Sequence, residues 1–190
     1  HWLASAKAQK LQVRVYEATT SHKLTIFLDL ETNEGAWTPG YDPDVQELSI
    51  TSAASIACWG LEHGYQVGVF TNGTHRGSVR PVGVEPGSGP GQLQRILLVL
   101  AKLQPMVVQR FDELLVQQSR GFPFGTTAIM VTPTLTAKTI GAARILQRGG
   151  HAAVVVLTGR KAAGGSLEGI TLRRVGPPEA WRDAELLSLA

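Results

Sequence analysis

A single cysteine occurs among the 190 residues, so no intrachain disulfide can form and the fold must rest on packing. That residue, Cys58, lies beside Ile56, Ala57 and Trp59 with no adjacent base, and reads as a small buried hydrophobe, not a nucleophile. Charged residues are scarce at 17% while hydrophobic content is an ordinary 43%, which excludes a charged coiled coil and a disordered polar tail. No apolar run is long enough to span a bilayer, and the first residues lack the form of a secretory signal. Catalytic signatures are also missing: there is no Gly-x-Ser-x-Gly elbow and no His-Glu-x-x-His pattern. The histidines His1, His22, His63, His75 and His151 show no metal-ligand spacing. His63, beside the helix stop Gly64, is expected to engage helix-end carbonyls. The formal charge of +3 is modest and the basic residues are scattered, so no nucleic-acid partner is expected. Pairs such as Arg160-Lys161 and Arg173-Arg174 read as solvated edges.

What is present is an alternation of apolar runs and amphipathic stretches. Residues Leu11 to Glu17 alternate with the period of a half-exposed strand, and Leu24 to Leu28 form a buried strand ending at Asp29. Gly35 to Pro43 is a loop marked by Trp37, Pro39 and Tyr41. Asp44 with Glu47 predicts a capping box opening a helix that runs to Gly64, with Val45, Leu48, Ser52, Ile56 and Trp59 on one face. Ala53, Ala54, Ala57 and Leu61 give it a small-residue face. Tyr65 to Phe70 is the next strand, and Val79 to Val84 an edge or hairpin strand because of Pro81. The stretch Pro86 to Gly91 lacks the Gly-Lys-Ser/Thr ending of a phosphate loop and reads as a flexible connector. Leu93, Ile96, Leu97, Leu100 and Leu103 predict a helix stopped by Pro105, and Val108 to Gly121 a second. Strands at 127–131, 152–157 and 169–175 follow, with a helix through Ile140, Ala143 and Leu146 and a short helix-like tail.

Strands alternating with helices imply right-handed crossovers and a mostly parallel sheet covered on both faces, a three-layer doubly wound α/β fold of Rossmann type. The division is a leading segment 1–22, an α/β domain 23–176 and a tail 177–190. Asp29, Thr71, Thr132 and Thr158 each follow or end a strand, which places a site at the carboxyl edge of the sheet.

The spacing Asp29-x-Glu31-x-Asn33 resembles the Asp-x-Ser-x-Ser metal loop of von Willebrand factor A domains, with Glu31 and Asn33 where serines stand. Trp2-Leu3-Ala4-Ser5-Ala6-Lys7, Leu11 to Glu17, Leu28-Asp29 and Tyr65-Gln66-Val67-Gly68-Val69 together resemble the domain of unknown function 58 family, whose core is von Willebrand A-like. Lys7 replaces the usual arginine, and Gly64-Tyr65-Gln66 replaces a Gly-Asp form. The matching motifs cover about the first 75 residues. The resemblance implies a membrane-anchored protein, of which this chain, opening at His1 without methionine, is a fragment at the cytoplasmic face of the membrane. It further implies a protein partner of the MoxR-type AAA+ ATPase class and a non-catalytic role in interaction or assembly.

For the loop itself two readings stand. Asp29, Glu31, Asn33, Thr71 and Thr132 offer oxygen ligands to Mg²⁺ or another divalent cation, without the aspartate that A domains place after the fourth strand. Alternatively Asp29 is structural, accepting hydrogen bonds from loop N–H groups or pairing with Arg160 or Lys161, and no cofactor is bound. Trp37 and Tyr41 likewise read equally as partner anchors or as a cover for the sheet edge. The competing class is a nucleotide- or small-ligand-binding enzyme using the same edge.

Overall fold

The computed structural model describes residues 22–32, 42–159 and 169–182. Strands β1 (Lys23–Leu28), β2 (Gln66–Thr71), β6 (Thr127–Thr132), β7 (Ala152–Leu157) and β8 (Thr171–Arg174) run parallel, and β4 (Gly83–Gly87) adds an antiparallel edge to β2. The order across the sheet is β4-β2-β1-β6-β7-β8. A separate two-stranded antiparallel sheet joins β3 (Gly73–His75) to β5 (Leu103–Val107). Among the described residues four α-helices lie between the strands: α1 (Pro43–Glu62), α2 (Gln92–Ala101), α3 (Phe111–Ser119) and α4 (Ala137–Arg148). The molecule is a three-layer α/β sandwich with a mostly parallel sheet between helices.

Alternation along each strand feeds two cores. Leu24, Ile26 and Leu28 of β1 pack with Val67 and Val69 of β2 against Leu48, Ala53 and Ala57 of α1 and Ile96 and Leu100 of α2. Phe27, Phe70, Met130, Val155 and Leu157 point to the other face, where Leu114 and Leu115 of α3 and Ala143 and Leu146 of α4 cover them.

The cap of helix α1 lies two residues before the predicted one. Asp42, not Asp44, is the N-cap: its carboxylate accepts from the N–H groups of Asp44 and Val45, and Pro43 sits at the first helical position. At the other end the His63 ring bonds the Trp59 carbonyl at 2.7 Å, as expected, and Gly64 leaves the helix at φ 79°. Two expectations on this helix fail. Trp59 is 49% exposed and stacks on His63 at 4.4 Å between ring centroids. Cys58 is only half-buried and donates to Glu62, one turn on, at 3.4 Å.

The connector expected at Pro86 to Gly91 is partly strand, since β4 runs through Pro86 to Gly87, later than the predicted 79–84. The pairing of β2 with β4 has a register irregularity between Val67 and Val69, and there buried Gln92 donates to Val67 O and Glu85 O, one carbonyl on each strand. Leu97 and Leu98 of α2 face solvent, while Ile96 and Leu100 are core.

Candidate functional site

Asp29 stands one residue past β1, and the parallel register sets it beside Asn72 past β2 and Thr132 at the end of β6. The residue is 5% exposed and its carboxylate is engaged on both oxygens. Oδ1 accepts from the Glu31 backbone N–H at 3.0 Å and from Asn72 Nδ2 at 2.7 Å. Oδ2 lies 2.8 Å from Thr132 Oγ1. Asn72 also accepts from the Leu30 N–H at 2.9 Å, so one side chain grips both the acid and the backbone that follows it.

Burial dominates the electrostatics. It lifts the Asp29 pKa from 3.8 to about 6, against the opposing donors at Glu31, Thr132 and Asn72. The hydroxyl of Thr132 also lies 2.8 Å from Thr134 O. A hydroxyl has one proton, so it cannot donate to an ionised Asp29 and to that carbonyl together. A protonated Asp29 resolves this by donating to Thr132, which then donates to Thr134. The arrangement therefore suits a carboxylic acid as well as a carboxylate, and its charge is poised near neutrality.

Thr71 is buried nearby, but its hydroxyl accepts from Gly73 N–H and makes no bond to Asp29. Asn72, which the sequence reading passed over, holds that place. The small second sheet supports it, since the Val108 N–H donates to Asn72 O next to β5. Thr158 bonds Ser49 at 2.7 Å and ties the end of β7 to α1. Glu31 presents an exposed side chain. With Asp29, Arg110, Asp112 and Lys138 it borders a groove of about 430 Å³ at the first turns of α3 and α4. Arg110 is held by Asp112 at 2.9 Å, and that pairing raises its pKa. Asn33, Trp37 and Tyr41, like Arg160 and Lys161, lie outside the described residues. The Asp42 N–H donates to Thr32 Oγ1 at 3.2 Å, joining the two ends of the 33–41 segment.

Among the described residues no group of three or more His, Cys, Asp or Glu side chains is arranged to hold a metal ion. Among the described residues the groups bonded to the Asp29 carboxylate are neutral donors, the Glu31 backbone N–H, the Asn72 amide and the Thr132 hydroxyl.

No protein-family model matches the chain, and no curated protein does. Among solved structures it is similar to the pilus adhesin SpaC from Lactobacillus rhamnosus GG, at 12% identity and a TM-score of 0.45. That likeness covers 73% of this chain and 25% of the adhesin, so the chain spans about a quarter of that protein's length.

Proposed function

We propose that this chain is a non-catalytic interaction module of von Willebrand A type, belonging to a membrane-anchored protein and docking a protein partner at the carboxyl edge of its sheet. The observation that supports it most is the saturation of Asp29. Three donors bind the strand ends into a stiff platform and leave Glu31, Arg110 and Lys138 as the charges a partner meets. The segments resembling the domain of unknown function 58 family point to a MoxR-type AAA+ ATPase as that partner, at the cytoplasmic face of the membrane. Among the described residues no helix is long and apolar enough to cross a membrane. In this reading the A-domain loop is degenerate and capture does not require metal.

The test is calorimetric titration with a purified MoxR-type ATPase, in Mg²⁺ and in EDTA, beside thermal unfolding with Mg²⁺ or ATP alone. Binding of equal strength in both buffers, lost in Glu31→Lys with the thermal midpoint unchanged, is the expected result. A metal at a hundred times its dissociation constant would stabilise the fold by about 2.7 kcal/mol. A Mg²⁺ shift of that kind that disappears in Asp29→Ala would overturn metal independence. A shift with ATP would favour the nucleotide-binding enzyme instead.

A further inference from the structure

The amino edge of the sheet, at the opposite end of the strands from Asp29, carries exposed cations beside an exposed phenyl ring. From Leu114 to Leu167 the sequence contains no Asp or Glu. Helices α3 and α4 both end at this edge, and the loop after α3 folds against the turn after α4. Two contacts fix that packing: the Phe122 and His151 rings meet edge to face at 5.6 Å between centroids, and the Phe124 ring lies over Gly150. Gly150 sits at φ 82°, and a Cβ there would run into that ring, so glycine is required on both counts. Phe124 thus rests on a firm base, yet it is 89% exposed, the most exposed large apolar side chain among the described residues. Ile145, 51% exposed, and Arg148 stand three residues apart on one stripe in the last turns of α4, just before that glycine. Arg120 at the end of α3 and Arg148 are both exposed, and neither forms an ion pair among the described residues. Glu85 borders the other side of the loop, in company with Lys23.

We propose that this face docks on an anionic lipid surface, with Phe124 and Ile145 entering the headgroup boundary and Arg120 and Arg148 beside the lipid phosphates. An apolar ring that stands out among cations matches a soft, negatively charged surface, where area burial and charge attraction act together. Such a surface demands no fixed spacing between the groups, only that they share one face. A second copy of the chain paired symmetrically through this face would bring the same arginines against one another, which disfavours it. The few groups involved make the attachment weak and reversible on its own. The proposal is independent of the carboxyl-edge reading, because the two faces lie at opposite ends of the strands.

The test is co-sedimentation of the full chain with vesicles of phosphatidylcholine containing about 30% phosphatidylserine, beside vesicles of phosphatidylcholine alone. Binding to the anionic vesicles only is expected, falling as salt rises from about 0.05 M to about 0.5 M. Arg120→Ala and Arg148→Ala should each weaken the partition about fivefold. Phe124→Ser should cause a comparable loss, and all three variants should keep the parent's thermal midpoint because the side chains are exposed. Should Phe124→Ser unfold, the two arginine variants provide the same readout. No binding to the anionic vesicles at low salt would overturn the proposal, and so would binding unchanged in the variants that fold. A dimer in light scattering that Phe124→Ser dissociates, without vesicle binding, would give the face to a second copy instead.

Discussion

At the level of single residues, Asp29 has the most to answer for. Its folded pKa of about 6 lies above the ordinary 3.8, so the folded protein binds this proton more tightly than the unfolded chain does. The stability it contributes is complete below the unfolded value and is lost as pH rises through about 6, by about 3 kcal/mol from this group. Asp29→Asn imitates the protonated acid: its carbonyl accepts from Glu31 and Asn72, and its amide donates to Thr132. The variant should therefore be more stable than the parent by about 1–3 kcal/mol at pH 8, the gap closing near pH 4. Urea midpoints at both pH values in EDTA measure this. A loss of stability at pH 8 would mean that the native carboxylate has a compensating cation. The position of Asp29 was legible, because an apolar run ending in a carboxylate marks a strand end. Asn72 was not. Which residue of β2 lies beside Asp29 depends on register, and a shift of one position exchanges Asn72 for Thr71. Register comes from the packing of whole strands, which no local pattern contains.

Elements were legible where the apolar pattern was long, as in β1, β2, β6 and β7, each a run of β-branched or large apolar residues with a polar end. The β3–β5 sheet was not, because Leu103 to Val107 includes Gln104 and Pro105 and follows directly on α2. Its strands are short, and pairing across the intervening 27 residues between His75 and Leu103 is a tertiary event. Helix α1 shows a different limit. Trp59 continues the spacing of Val45, Leu48, Ser52 and Ile56, yet in the last turn it is its neighbour Gly60 that lies buried against Leu24 of β1 and Val67 of β2, so that stripe has turned away from the sheet. Its ring is instead sheltered by His63 and Tyr65. Truncating it should cost little, under about 1 kcal/mol, whereas Leu48→Ala, which empties a fully buried site, should cost about 2–5 kcal/mol. Chemical denaturation of the two variants side by side decides this. Equal losses would mean that Trp59 is a core residue after all.

For the molecule as a whole, the end of the described chain returns to the beginning of α1. The 3-10 turn Pro178–Arg182 brings the Trp181 indole N–H to Asp44 Oδ1 at 3.2 Å and the Arg182 guanidinium to both oxygens of the same carboxylate, at 2.6 and 2.9 Å. Trp181 also packs against the core that α1, β1 and β2 share. The two contacts differ in weight. Arg182 is 58% exposed and its ion pair is open to water and salt, so Arg182→Ala should change stability by less than about 1 kcal/mol. Trp181→Ala loses apolar contact with that core as well as a hydrogen bond, and should cost about 2 kcal/mol. The segment has no core of its own, so its loss should lower the urea midpoint of one cooperative transition, with the slope unchanged. An early separate transition in the fluorescence of a variant that keeps Trp181 alone of the four tryptophans would show the opposite, that the turn detaches before the sheet unfolds.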